Sequence, residues 1–222
     1  MKRILFLIAL ILIFLAQAAG ALAGSYKIEN VTSLPEGVAD AIKNTLQAQG
    51  VRVVNEQGSA WCEVWLRKEI ANTNKPASPD AKYPGLHIGS LLGVMKFPAN
   101  GSDYRGQAIK PGIYTMRYCL ILQDGNHMGA APIPDFVLLI PASEDTKDPD
   151  ATLSVEEVVN LSRKASGTNH PAVINLAPPP GSINTPLLEK DDSDRWVLKS
   201  KTELKPAGDL PIGIVVFGRA EG

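Results

Sequence analysis

The chain has 222 residues, with 22 basic and 23 acidic side chains and a formal charge of −1. That balance supplies no basic field for nucleic acid or anionic lipid. Its 17 prolines and 19 glycines point to short strands joined by many turns, within a length that suits one domain.

Lys2 and Arg3 precede an unbroken apolar run, Ile4 to Leu15, which ends before Gln17. Ala21-Leu22-Ala23 then supplies a small-x-small cleavage pattern, so residues 1–23 read as a signal peptide. The run falls short of the ~20 apolar residues of a membrane span, and no cysteine follows it to carry a lipid. The expected mature protein is residues 24–222, with 20 basic against 23 acidic side chains. It would be periplasmic or secreted, with no integral membrane span after cleavage.

Tyr26 to Val31 alternates weakly and reads as a first strand. Val38, Ala41, Ile42, Thr45 and Leu46 recur at helical spacing, with Pro35 suited to a first turn and Gly50 to the stop. Val51–Val54 and Ala60–Lys68 form a hairpin around Glu56-Gln57-Gly58. Its second strand puts Trp61, Glu63, Trp65 and Arg67 on one face, the tryptophans being expected to cover the sheet beneath a loop or helix. Residues 71–85 lack periodicity and form a long loop. Leu86 to Phe97 is the next strand, where Gly89 and Gly93 mark a bulge or a close backbone approach.

The strongest pattern is Ile109 to Pro141. Tyr114, Met116, Tyr118, Leu120 and Leu122 share one face of a strand, and Thr115, Arg117, Cys119 and Gln123 share the other, expected to lie near water. Pro111-Gly112 sets the turn into it. After a turn at Asp124-Gly125-Asn126-His127, Phe136 to Ile140 is apolar on both faces, as in a covered strand. Ser154-Val155-Glu156-Glu157 is a capping box opening a helix that Gly167 ends. Pro171 to Leu176 is a short strand, and Pro178-Pro179-Pro180-Gly181 breaks the chain before a last unit, 182–222, that closes as a hairpin of strands 195–203 and 210–218. The total, eight or nine strands and two short peripheral helices, predicts a mainly β single domain built as an antiparallel β-sandwich, Ig-like or jelly-roll-like.

Chemistry is sparse. Imidazoles at His127 and His170 could hold copper or zinc, with Asp135 as a carboxylate neighbour, although no pair has the close spacing of a metal motif. The same three residues form the candidate binding end of the fold, because the segment from His127 to Asp135 joins two strands and His170 opens another. A hydrolytic trio of Ser162, His170 and Asp135 can be written, but it lacks a nucleophile elbow, and Ser162 lies within a predicted helix. Cys62 alternates with inward residues and Cys119 with outward ones, which argues against a bridge; export leaves the pairing open. These observations favour an exported, non-catalytic protein that binds an envelope component or another protein, with no resident cofactor.

Asp103-Tyr104-Arg105-Gly106, Pro111-Gly112-Ile113-Tyr114-Thr115, Asp124-Gly125-Asn126-His127-Met128-Gly129, Asp135-Phe136 and His170-Pro171-Ala172 together resemble an uncharacterised group of secreted bacterial proteins. The resemblance covers most of the mature chain. It implies export and an envelope location and supplies no activity. The turn-strand element alone is similar to carbohydrate-binding or transthyretin-like modules.

Overall fold

In the computed structural model, which describes residues 25–73, 78–121 and 134–218, the chain is mainly β with two helices. The strands are β1 (Lys27–Val31), β2 (Gly50–Val54), β3 (Ala60–Leu66), β4 (Glu69–Ala71), β5 (Leu91–Phe97), β6 (Gly101–Ser102) and β7 (Ala108–Ile109). They continue as β8 (Gly112–Leu120), β9 (Asp135–Pro141), β10 (Val173–Ala177), β11 (Leu187–Lys190), β12 (Trp196–Lys205) and β13 (Gly208–Phe217). The helices are α1 (Asp40–Lys43) and α2 (Val155–Ser166).

Hydrogen bonds run through β1-β2-β3-β5-β8-β9-β10-β13-β12-β11, every neighbouring pair antiparallel, while β6 and β7 pair separately. The strands therefore form one continuous curled sheet, a half-barrel, where two facing sheets were expected. The curl follows from β4, which continues the line of β3 and pairs parallel with the end of β12. One side of the sheet thus encloses a single core, drawing Val64, Met95, Met116, Val137, Ile174, Leu198 and Ile214 from successive strands. The last strands are integral to it, since β13 also pairs with β10.

The central hairpin forms as its alternation dictates. β8 and β9 pair from Tyr114↔Pro141 to Leu120↔Asp135, and Tyr114, Met116, Tyr118 and Leu120 enter the main core. Leu122, Gln123 and the expected turn at 124–127 lie outside the described residues. The opposite face differs from expectation, because Thr115, Arg117 and Cys119 are also buried. Loop 142–153 and α2 cover that face, so Cys119, Leu138, Ile140, Leu153 and Val158 form a second apolar layer. Arg117 is compatible with this position because Asp145 meets it in two hydrogen bonds, Nε to Oδ2 at 2.7 Å and Nη2 to Oδ1 at 2.9 Å.

α2 follows its sequence signals closely. Glu157 N–H donates to Ser154 Oγ, the Glu157 carboxylate accepts from Ser154 N–H, and Gly167 ends the helix at φ +68°. α1 is a single turn, shorter than its periodicity suggests. By Leu46 the chain already pairs with Arg67, and Gln47 N–H donates to Leu66 O. Sheet pairing thus overrides helical propensity. Gly50 opens β2 instead of closing a helix, because a Cβ there would strike the Trp65 ring. Likewise residues 86–90 form a turn, and the expected strand begins at Leu91. Gly93 sits at an irregularity in the β5–β8 register, where a Cβ would collide with the backbone of Trp65.

Candidate functional site

A fork between β3 and β12 frames a cleft. At one end the two strands are joined through β4; toward the other they diverge, β2 and β1 attaching on the side of β3 and β11 on the side of β12. Gln47 stands where they part. Its Nε2 donates to Arg67 O at 3.1 Å and to Lys201 O at 2.9 Å, so one side-chain amide ties both arms. Thr202 Oγ1 adds a 2.6 Å bond to Arg67 O.

The cleft below this junction has a volume of about 130 Å³. Its buried lining is Val51, Val64, Leu66 and Leu198, all from the main core, with Gly50 at the edge of β2. Its outer lining is Asn30, Gln47, Gln49 and Pro186, and the hydroxyl of buried Ser200 lies on the β12 wall. All of these side chains are uncharged. Because both N–H groups of the Gln47 amide serve the fork, its Oε1 is the atom left to accept from a guest. The arrangement can hold an apolar group against the valines and leucines while bonding a polar edge, and it offers no charge or nucleophile.

The residues singled out in the sequence lie elsewhere. His127 falls outside the described residues. Asp135 is wholly buried at the start of β9, accepting from Tyr118 Oη at 2.7 Å and from Lys82 N–H at 3.1 Å to each carboxylate oxygen. Burial, then the neighbouring Asp135, pushes the Tyr118 phenol well above its ordinary range. Tyr83 beside it donates to Ala177 O and accepts from Gly213 N–H, so this end of the barrel is closed by paired polar groups. His170 is exposed, and its carbonyl, not its ring, receives Ser166 and Thr168. The register Val173↔Leu138 and Asn175↔Phe136 sets His170 beyond the Pro141 end of β9. Asp135 is at the other end, ~20 Å away at ordinary strand rise. Ser162 is buried on α2, donating to Ala172 O and accepting from Ala172 N–H. Asp135 and His170 are therefore not brought together, and the hydrolytic trio is not assembled. Among the described residues, no group of three or more His, Cys, Asp or Glu is placed to hold a metal ion.

Cys62 and Cys119 are both free and lie in different clusters, on opposite faces as their alternation suggested, although the outward face expected for Cys119 is itself a covered apolar layer. Burial raises both thiols, Cys119 to about 11 and Cys62 further, which disfavours thiolate chemistry. Trp65 is covered by the segment around α1 and donates to Ser33 O at 3.0 Å. Trp61 does not share its face. The β2–β3 register shifts beside it, Val54 pairing with Ala60, and this bulge turns Trp61 toward the main core, where it donates to Val216 O.

His87 is a site the sequence reading left unassigned. Its Nδ1 pairs with Ser90 Oγ at 3.0 Å, while its Nε2 is buried without a partner among the described residues. The pair locks the 87–90 turn, and Ser90, only 1 % exposed, offers no approach for a substrate. Among the described residues, no helix is long and apolar enough to cross a membrane. Comparison of the chain with family models, with curated proteins and with solved structures finds no match.

Proposed function

We propose that this is an exported, non-catalytic binding protein of the bacterial envelope, which takes an uncharged part of its ligand into the cleft between β3 and β12. One observation carries the reading: the cleft joins a core-derived apolar floor to a rim of neutral amides and a hydroxyl. An ion entering it would lose water without gaining an opposite charge, so the cleft discriminates against charged groups. The leader at 1–23 and the resemblance to secreted bacterial proteins support export to the periplasm or beyond. The hydrolytic alternative is disfavoured by the occupation of its groups, Ser162 by the Ala172 backbone and Asp135 by Tyr118 and Lys82.

The test is sedimentation of the exported protein with purified envelope fractions, comparing wild type with Ser200→Phe and Asn30→Trp. The first fills the cleft from its β12 wall, and the second covers it from exposed β1. Retained folding with lost co-sedimentation in both variants supports the cleft. Binding that survives both removes it.

A further inference from the structure

Resting on the cleft reading above, we infer that the group it accepts is the N-acetyl substituent of an amino sugar. Three properties of the lining select this chemistry. First, no lining residue carries a charge, so the guest is neutral: a free amine, present as an ammonium ion, would be buried unpaired. Second, the floor of Val51, Val64, Leu66 and Leu198 requires an apolar end, which an acetyl methyl provides. Third, Gln47 Nε2 is engaged by Arg67 O and Lys201 O, which leaves Oε1 as the amide atom that can accept an N–H from a guest. The Ser200 hydroxyl makes no side-chain hydrogen bond with described residues and can donate to the acetyl carbonyl. An acetamido group supplies the methyl, the N–H and the carbonyl together.

Size fits the same class. A cleft of about 130 Å³ is smaller than the sites that enclose drug-sized ligands and suits a compact substituent such as an acetamido group better than an extended oligomer. The remainder of the ligand would lie across the lip, where exposed Asn30 and Gln49 present donors and acceptors suited to ring hydroxyls. A peptide added to the sheet edge fits less well. The edges flanking the cleft carry ion pairs, Lys27 with Glu29 on β1 and Lys199 with Glu189 across β11 and β12, and charged edges oppose strand addition.

The experiment is a titration of the ¹⁵N-labelled exported protein with N-acetylglucosamine, glucosamine and N-acetylalanine methylamide, followed by amide chemical shifts. The inference expects saturable shifts at Gln47, Val51, Val64 and Ser200 with N-acetylglucosamine, and binding weaker by about tenfold or more for glucosamine. Gln47→Glu should weaken N-acetylglucosamine and narrow the preference over glucosamine, while Asn175→Asp, remote from the cleft, should leave the preference unchanged. Stronger binding of the N-acetylated peptide than of the sugar overturns the sugar and points to an acylated peptide. Equal binding of glucosamine overturns the acetamido assignment. If neither N-acetylated molecule binds but a neutral alcohol such as isobutanol shifts the same residues, the ligand class fails and the cleft stands. If no neutral molecule shifts them, both fail.

Discussion

Replacing Asp145 by alanine should be among the most costly single changes in this fold. Arg117 and Asp145 each have no exposed side-chain surface. The guanidinium donates to both carboxylate oxygens, to Gly89 O at 2.9 Å, and at longer range to Lys147 O and Asp148 O. The carboxylate also accepts from Thr115 Oγ1 at 2.6 Å and Lys147 N–H at 3.3 Å. Asp145→Ala leaves a buried cation facing carbonyls alone, a loss of ~3–5 kcal/mol for breaking one partner of such a pair. Against a total stability of ~5–15 kcal/mol, that is about a fifth or more. With a urea slope of ~1–3 kcal/mol/M the midpoint should fall by roughly 1–5 M. The double variant Arg117→Met/Asp145→Leu removes both charges and should recover most of the loss, because desolvation offsets much of what the intact pair contributes. Urea denaturation of all three proteins decides the matter. A shift below ~0.5 M for Asp145→Ala, or a double variant no better than the single, would refute the reasoning.

Four further outcomes are expected. Leu120→Ala should lose ~2–5 kcal/mol of stability by denaturation, since its side chain lies in the main core at 3 % exposure. Ser154→Ala should lose ~1 kcal/mol, the value of an N-cap, with faster hydrogen exchange confined to the first turn of α2. Neither cysteine should react with a thiol reagent at pH 8 until the protein is denatured. Because the Cys119 pKa rises from 9.0 to about 11 on folding, the unfolded chain releases that proton first. The Cys119 contribution is therefore intact below pH 9 and lost between pH 9 and 11; Cys119→Ala should lessen the alkaline fall in stability without abolishing it, because burial raises Cys62 as well. N-terminal sequencing of exported protein should begin at Gly24; retention of Met1 would show an uncleaved anchor.

What was legible in the sequence was local. The period-two alternation of Tyr114 to Leu120 and the box at Ser154 specify their own geometry, because every group involved lies within a few residues. The burial of Arg117 was not legible, since its cover comes from 28 residues further along the chain. α1 shortened for the same reason: its helical spacing was outweighed by β3, which recruits Leu46 and Gln47. The histidines attracted attention for their chemistry, yet His170 presents its carbonyl to the fold. Gln47, by contrast, carries no local signal of its role, being one polar residue beside the helically spaced Thr45 and Leu46. Its role depends on Lys201, 154 residues away, and no spacing rule reaches that far.

The cleft and the curl have one origin. A sheet that closed completely along β3 and β12 would leave no gap, and one that never met would have no junction to brace. Here the partner of the β3 line changes at Lys68: Lys68 N–H donates to Thr45 O before the bend, and Lys68 O accepts from Glu203 N–H after it. Upstream of that residue the strand is bordered by the chain of α1 and β2; downstream it is bordered by β12. A change of partner within one residue leaves backbone acceptors on two diverging arms with no ladder between them. Gln47 meets two of these, Arg67 O and Lys201 O, with the two N–H groups of one amide. An apolar side chain there would cost Lys201 O its Gln47 donor and leave Arg67 O with Thr202 Oγ1, and an ionised carboxylate would oppose both carbonyls, whereas a carboxamide serves both and retains an acceptor for the cleft. The same residue thus completes the fold's backbone bonding and defines the polar edge of its cavity. Binding at that edge and bracing of the fork should therefore respond together to substitution at Gln47.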